Sequence, residues 1–421
     1  MIFTSAFAAT LLALLVLSAS ITANESGCVS SYDESRDYFP DKVQVKYGAG
    51  FDITYKGNAK YIRNSISGEN YVLYQCGTPA PANVKATPAD SLQVGNWTKI
   101  AAVPGTKIVL DSAPASAIIE MLGVQDAVGA SYKFFKVTSP CMQKKLDSLP
   151  KVQQNFGTSK ARKRNNALVR RVSYDISDSD LQWTFTTYGM NDPHSFAVNP
   201  ENASDMLGKA EWIKFVAAFF NKEAEANKIF DEIETRYKSI QKKASTETRK
   251  TVGFARYNKV ANGTIISWTI EQPQPWVVQG LADANMKAHN SNTAAFSNVD
   301  DFYKATEQWD VLIDLSIEPL SHGGTTIPLW QNLLQGYGFS NQAKDGLPKF
   351  LSLKSIYRSD LISSYQNATD YNEHLQIQAD QLLEDFGKIA STNSGTTDTV
   401  WYRNMPLQVP VNWRSPSNCQ S

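Results

Sequence analysis

The sequence predicts an α/β protein whose two lobes are joined by one long helix. Three observations support this fold class: a long apolar stretch near the middle of the chain, a strand–helix–strand pattern before it, and a second series of strands and helices after it. Without its leader the chain has roughly 400 residues, which is long enough for two domains with sizeable cores.

The central stretch, residues 199–221, has the features of a buried helix. Asn199 can cap such a helix, and Pro200 suits its first turn. From Trp212 to Phe220 only Lys214 is polar, which is typical of a helix that is buried on most sides. A continuous helix over the whole stretch would span about 30 Å and could connect two lobes. The alternative is an ordinary core helix in a single large domain.

A second helix is predicted directly after this stretch. Apolar residues between Ala226 and Ile240 recur at steps of three and four, the period of an amphipathic helix. Asn221 is predicted to lie at the joint between the two helices.

The region before the central stretch predicts the first lobe. Short strands are expected at 43–47, 51–55 and 71–74 because apolar and β-forming residues cluster or alternate there. They are followed by a strand at 108–110, a helix capped by Ser112 and a strand at 127–131. Two strands joined by a helical crossover run parallel, so this unit predicts a parallel sheet. The segment LQWTFTTY at 181–188 predicts one more strand.

The region after the central helices predicts a second lobe of the same class. Strands are expected at 252–257, 265–270 and 311–315, and helices at 276–286, 302–308, 327–334 and 371–389. The chain is therefore divided into a signal peptide at 1–23, a β-rich segment of the first lobe at 24–104, the α/β core of that lobe at 105–198, the linking helix at 199–221, the second lobe at 222–392 and a C-terminal tail at 393–421.

The N-terminal segment and the cysteines predict a secreted protein. The first 23 residues contain no charged side chain, and an apolar run at 11–17 is followed by small residues. A short membrane anchor is the alternative. Four cysteines without a CxxC pair predict two disulfides with three possible connectivities. With sequons at 96, 202, 262 and 367, we expect an extracellular or cell-surface-associated glycoprotein.

The composition argues against several function classes. Lysine plus arginine equals aspartate plus glutamate, 41 of each, so no overall field favours nucleic acid or an anionic membrane. A local basic excess at 160–171 is either a solvated face or a patch for an anionic ligand. The sequence has no G-x-S-x-G elbow, no phosphate loop and no H-E-x-x-H motif. We therefore expect a monomer that is not an enzyme and carries no cofactor.

Two stretches resemble the class III periplasmic substrate-binding proteins. The segment PGTKIVLDSAPASAIIEMLGVQDAVGAS at 104–131 is similar to the first strand–helix–strand unit of that family. The segment at 207–237 is similar to its lobe-linking helix and the helix that follows. The resemblance covers residues 100–390, and the leading segment, the basic insert and the tail depart from it. It implies two Rossmann-like lobes, a cleft between them and capture of a small-molecule ligand such as an iron-siderophore, haem or cobalamin, with a membrane transporter or receptor as partner.

The resemblance also implies which residues face the cleft. Ligands of open α/β sheets bind where the strands end at their carboxyl side. Aromatic and guanidinium groups can stack on a planar ligand and donate hydrogen bonds to it. The residues expected to contact the ligand are Asp111, Ser112, Tyr132, Lys133, Tyr188, Arg256, Tyr257, Trp268, Glu271 and His322. Core packing is the alternative for each aromatic residue, and at most one of the neighbours Arg256 and Tyr257 can face the ligand.

A metal site is a second possibility for this fold. The four histidines are not paired at ligand spacing, but Asp192 with His194, and Glu318 with His322, could meet across the cleft. The alternatives to a chelate carrier are therefore a binding protein for zinc, manganese or iron ions and a secreted enzyme without a recognisable motif.

Overall fold

A computed structural model describes residues 27–82, 97–132, 136–152, 154–156, 163–164, 167–168, 172–174, 182–187, 194–244, 249–260, 263–289, 292–316, 330–339, 347–392 and 394–420. The predicted signal peptide lies outside these residues.

A four-stranded sheet precedes the first lobe. Its strands are β1 (Phe51–Lys56), β2 (Ala59–Asn64), β3 (Glu69–Gln75) and β4 (Trp97–Val103), in the order β1-β2-β3-β4. The first three are antiparallel, and β4 runs parallel to β3. The strands predicted at 51–55 and 71–74 are confirmed, whereas the one at 43–47 is wrong. Its backbone N–H groups at Lys46 and Tyr47 donate to the carboxylate of Glu211 instead of to a strand.

The first lobe contains a parallel sheet, as the strand–helix–strand pattern predicts. Its elements are β5 (Ile108–Asp111), α1 (Ala113–Met121), β6 (Val128–Tyr132), α2 (Pro140–Ser148), β7 (Lys151–Val152), the short ladders of β8 (Gln154–Phe156), β9 (Lys163–Arg164), β10 (Ala167–Leu168) and β11 (Val172–Tyr174), and then β12 (Trp183–Thr186) and β13 (Ser195–Ala197). The sheet order is β13-β12-β5-β6-β7, and each neighbouring pair is parallel. The Ser112 hydroxyl caps α1 by accepting from Ala115 N at 3.3 Å, and Gly123 follows the helix with φ +66°.

The central helix is shorter than the sequence predicts. Pro200–Asn202 form a 3-10 turn, and the helical residues are α3 (Met206–Ala210) and α4 (Trp212–Ala217). The N-cap is Asp205, whose carboxylate accepts from Gly208 N at 2.7 Å. Asn199 does not cap, because its side chain instead donates to the carbonyl of Thr187. The expected length of about 30 Å is therefore wrong, and at 1.5 Å per residue the helical part spans roughly 18 Å.

The predicted burial and the predicted joint are confirmed. Trp212, Phe215 and Phe219 are fully buried. The left-handed φ of +53° at Asn221 separates α4 from the amphipathic helix α5 (Glu223–Lys243). Helix α3 contacts helices of the second lobe. The aromatic side chains of α4 pack against the four-stranded sheet, where the ring centroids of Phe51 and Trp212 are 5.1 Å apart. The central helices thus lie between the two lobes.

The second lobe is built on a mixed sheet. Its elements are β14 (Lys250–Lys259), β15 (Ile265–Glu271), α6 (Pro275–Asp283), β16 (Met286–Ala288), β17 (Ala294–Phe296), α7 (Val299–Thr306), β18 (Val311–Asp314), α8 (Trp330–Gly336), α9 (Lys349–Ser352), β19 (Ile356–Arg358), β20 (Ile362–Ser364), α10 (Asp370–His374), α11 (Ala379–Ser391), β21 (Arg403–Asn404) and β22 (Asn412–Arg414). The order is β17-β15-β14-β18-β19-β21, with β16 also pairing β14. In this sheet β14, β16, β18 and β19 are parallel, and β15, β17 and β21 pair antiparallel to their neighbours. The strands β20 and β22 form a separate parallel pair. These two sheets with their helices confirm the predicted α/β class.

The C-terminal part of the chain returns to the first lobe. The single helix predicted at 371–389 is wrong: α10 packs against α1 of the first lobe, whereas α11 packs against α5 and α6. One buried apolar cluster runs from Leu110 through Phe215 to Val311, so the lobes share a continuous core. The chain's tail is also tied to α2 by a disulfide, Cys141–Cys419.

The disulfides are Cys28–Cys76 and Cys141–Cys419, one of the three possible connectivities. Both bonds favour an extracytoplasmic location. In the described part of the chain, helices that are both long and apolar enough for a membrane span are absent. The sequons at Asn202 and Asn367 are exposed.

Candidate functional site

The carboxyl edge of the first lobe's sheet forms one wall of a pocket. Strand β5 ends at Asp111 and β6 ends at Tyr132, and because they are parallel neighbours both ends meet at the same edge. Both residues line a cavity of about 390 Å³. Lys136, which is exposed, adds an ammonium group to this wall. The predicted residues Asp111 and Tyr132 are thus brought together.

The opposite wall comes from α10 and the residues before it. It consists of Ala368, Thr369, Asn372 and Glu373. Thr369 caps α10 by accepting from Asn372 N at 3.4 Å, which fixes the start of this short helix at the cavity. The cavity is therefore bordered by two carboxylates, one ammonium group and one phenol, which suits a polar ligand.

Behind this wall lies a cluster of ionisable groups that holds α10 against the first lobe. The backbone N–H of Thr138 donates to Glu373 Oε2 at 2.7 Å, and the Thr138 hydroxyl contacts both Glu373 and Asp370. Trp401 Nε1 donates to Asp370 Oδ2 at 2.8 Å. His374 Nδ1 lies 3.1 Å from Asp370 Oδ1. The cluster joins three parts of the chain that are far apart in sequence.

Burial and mutual charge shift the pKa values of this cluster. Burial raises the pKa of Glu373. Burial alone would raise the pKa of Asp370, but hydrogen bonds and the charge of His374 hold it below its usual value. Burial alone would lower the pKa of His374, but Asp370 and Glu373 together raise it to about 9. The imidazole is therefore protonated near neutral pH and pairs with the carboxylates.

The carboxyl edge of the second lobe carries a buried network of opposite charges. Arg403 donates to both oxygens of Asp360, at 2.7 and 2.8 Å, and Arg358 bridges Asp360 to Asp314. Burial would raise the pKa of Asp360, but the hydrogen bonds and charges of the two arginines hold it below its usual value. Two arginines balance two aspartates, so the network connects the ends of β18 and β19 and carries no net charge that a ligand could neutralise.

Three of the residues predicted on the second lobe are already paired with each other or with the backbone. Arg256 Nη2 and Glu271 Oε1 form an ion pair at 2.7 Å across β14 and β15. Trp268 Nε1 donates to the carbonyl of Gly336 at 2.9 Å. Tyr257 is buried in the core, where its ring packs edge-on against Tyr337 at 5.1 Å. The structure thus gives Tyr257 the packing role that the sequence left as its alternative, and it leaves Arg256 half-exposed.

The remaining predicted residues are distributed as follows. Ser112 is buried and its hydroxyl is used to cap α1. The predicted positions that lie outside the described residues are Lys133, Tyr188, Asp192, Glu318 and His322. His194, a metal candidate, is exposed just before β13.

The cluster on α10 is a feature that the sequence-based reasoning missed. Asp370, Glu373 and His374 stand at i, i+3 and i+4, which places them on one face of a helix. This spacing is visible in the sequence, but the metal candidates predicted from the sequence were Asp192 with His194 and Glu318 with His322. The contact with Thr138, 232 residues away from Asp370 in sequence, has no sequence signal.

Comparisons with known proteins return structural likenesses only. No protein-family model matches the sequence, and a search of curated proteins finds no match. A periplasmic binding protein from Veillonella parvula is 12% identical, with a TM-score of 0.44, over 80% of this chain and 97% of that one. A periplasmic haem-binding protein from Vibrio cholerae is 12% identical, with a TM-score of 0.42, over 66% and 99%. An ABC-type Fe3+-hydroxamate transport protein from Saccharomonospora viridis is 12% identical, with a TM-score of 0.40, over 69% and 94%.

Proposed function

We propose that the protein is a secreted solute-binding protein that captures a small-molecule ligand at the carboxyl edge of its first lobe. The observation that carries this proposal is the pocket in which Asp111 and Tyr132 face α10. Its volume of about 390 Å³ falls in the range of small-molecule sites, roughly 300–1,000 Å³. The ligand classes proposed are an iron-siderophore, haem or cobalamin.

The chemistry of the pocket supports a ligand with both donor and acceptor groups. The carboxylate of Asp111 can accept hydrogen bonds from hydroxyl or amide groups, and Lys136 can pair with an anionic group. The ring of Tyr132 can pack against a planar part of the ligand. A metal chelate with hydroxyl or carboxylate groups at its periphery fits this set of contacts.

The experiment that tests the proposal is native mass spectrometry of the purified protein with ferric siderophores, haem and cobalamin, in the presence of EDTA. A binding protein retains one ligand stoichiometrically and gains thermal stability, because a ligand that binds only the folded state shifts unfolding upward. Retention of none of these ligands, together with no thermal shift across the panel, would overturn the proposal.

Substitutions in the pocket wall locate the binding site. Tyr132→Ala should weaken binding about thirtyfold, the equivalent of roughly 2 kcal/mol, if Tyr132 is an anchor. Tyr74→Ala is the matched control, because Tyr74 is also half-buried but lies on β3 of the four-stranded sheet and does not line this cavity. Equal affinities of the two variants would place the ligand elsewhere.

We further propose that the loaded protein is recognised by a membrane transporter or receptor, as its resemblance to carrier proteins implies.

The predicted contacts of Arg256, Trp268 and Glu271 with the ligand remain part of the proposal that this protein binds a small molecule. In the structure Arg256 and Glu271 pair with each other, so a ligand that engages Arg256 must share or replace that ion pair.

A further inference from the structure

We propose that Asp370, Glu373 and His374 form a binding site for a divalent transition-metal cation behind the wall of the pocket. This site goes beyond the proposed function, since a free cation can load it without any organic ligand.

The geometry of the three side chains suits shared coordination. One potential ligand atom from each lies within 4.8 Å of the others. Two atoms bound to the same tetrahedral zinc ion at about 2.0 to 2.2 Å each lie about 3.4 Å apart. Side-chain rotations that close up to about 1.4 Å would therefore bring all three groups to one ion.

A second observation points to a ligand independently of this spacing. Glu373 is 2% exposed, and its Oε1 atom is buried without a hydrogen-bond partner. Leaving such an atom unpaired costs about 1–3 kcal/mol, and more for a charged group. His374 Nδ1 is likewise buried without a properly oriented hydrogen bond, although it lies close to Asp370. A cation between these atoms would pair directly with Glu373 Oε1, and it would bind His374 Nδ1 by displacing the proton that the imidazolium carries at neutral pH.

Neighbouring groups already orient the two carboxylates. Thr138 N and Oγ1 hold Glu373 by its Oε2 atom, which leaves Oε1 free for a cation. Trp401 Nε1 donates to Asp370 Oδ2 and thereby fixes the rotation of that carboxylate. Such hydrogen bonds from surrounding groups to ligating carboxylates are a regular feature of metal sites.

The donor set indicates the class of cation. One imidazole and two carboxylates suit zinc, manganese, iron(II) or cobalt(II), whereas calcium and magnesium prefer oxygen ligands alone. Three protein ligands leave at least one coordination position for water or for a donor atom of a bound molecule. Because Glu373 also lines the pocket, that position could be reached from the cavity.

The test is a titration of the folded, tag-free protein with Co²⁺ and Zn²⁺, with no organic ligand present. Co²⁺ reports its own coordination through its visible absorption, and calorimetry gives the stoichiometry and affinity. We expect one equivalent to bind, and we expect Glu373→Gln and His374→Gln each to weaken binding at least tenfold. His289→Gln is the matched control, because it removes a half-buried histidine outside the cluster and should leave the affinity unchanged. His194→Gln tests the alternative metal candidate that the sequence predicts.

Several outcomes would overturn the site. The first is that no saturable binding occurs up to millimolar Co²⁺. The second is that both cluster variants keep the wild-type affinity, and the third is that His194→Gln alone abolishes binding. If Glu373→Gln fails to fold, His374→Gln decides the question, because this side chain is less deeply buried. The ligand panel in EDTA tests the pocket separately, so failure of the carrier function and failure of the metal site give different results.

Discussion

Replacing Glu211 with glutamine should destabilise the protein by about 4 kcal/mol. Glu211 is fully buried between α3 and α4. Its Oε1 accepts from Lys46 N and from Lys214 Nζ, both at 2.7 Å, and its Oε2 accepts from Tyr47 N at 2.8 Å. One carboxylate thus connects the irregular segment at Lys46 and Tyr47 to the central helices and to the buried Lys214.

The expected loss of unfolding free energy follows from the hydrogen bonds and the ion pair that a glutamine at this position cannot make. Its amide oxygen keeps acceptor capacity on one side, but its NH₂ group must face either a backbone N–H or the Lys214 ammonium. Leaving one of these donors unpaired costs about 1–3 kcal/mol. Lys214 is 2% exposed, and removing one partner of a buried ion pair costs roughly 3–5 kcal/mol in total.

The assay is urea unfolding followed by both tryptophan fluorescence and circular dichroism. Glu232→Gln removes the same charge from an exposed position of α5 and should change the free energy of unfolding by no more than about 0.5 kcal/mol. The double variant Glu211→Gln/Lys214→Met should be more stable than Glu211→Gln alone, because it removes a buried ammonium that has lost its carboxylate and keeps only its hydrogen bond to the carbonyl of Gln44. If Glu211→Gln unfolds at the same urea concentration as Glu232→Gln, the reasoning about this junction is refuted.

Two further predictions concern covalent and pH-dependent stability. Replacing Cys141 and Cys419 with serine should lower the free energy of unfolding by about 1.5 kcal/mol more than replacing Cys28 and Cys76. The reason is that the disulfides close loops of 278 and 48 residues, and the entropy of loop closure grows with loop length. Equal urea midpoints of the two double variants would contradict this. Hydrogen bonds from Lys238 and Tyr47 lower the pKa of Glu234 to about 2, below its usual value of 4.5, so the stability it contributes is present above about pH 4.5 and is lost as the pH falls toward 2. Urea midpoints at pH 5, 4 and 3 should therefore fall less steeply in Glu234→Gln than in the wild type, and identical slopes would contradict the assignment.

Caps, turn residues and short apolar runs in the sequence predicted the elements whose start and end depend on neighbouring residues. The unit β5–α1–β6 was predicted because a buried strand, a serine cap and a terminating glycine follow each other within 25 residues. The predicted joint at Asn221 is confirmed, and its physical reason is that asparagine tolerates the left-handed conformation that ends α4. The start of the central helix was mispredicted, because Asn199 and Asp205 are both good caps and the sequence does not show that Asn199 is engaged with Thr187.

The candidate site depends on contacts that no local pattern reveals. Asp111 and Tyr132 could be predicted, since carboxyl ends of neighbouring parallel strands meet at one edge. The opposite wall could not, because it is supplied by α10, which follows the second lobe's strand β19 and packs on α1. Tyr257 was expected at the ligand because it ends the predicted strand at 252–257, but its ring packs in an aromatic core against Tyr337.

The return of the C-terminal segment changes how the lobes are held together. The sequence-based expectation was one rigid helix as the link, whereas α10 packs on the first lobe, α11 and β21 pack on the second, and Cys419 is bonded to Cys141 of the first. The chain therefore passes between the lobes again after residue 358, and a buried core runs through the junction. Opening the lobes would have to break the contacts of Thr138 with Asp370 and Glu373 as well as bend the central helix. Restricted lobe motion therefore follows from these several crossings and their polar contacts. The proposed ligand pocket and the proposed cation site lie where the returning segment meets the first lobe.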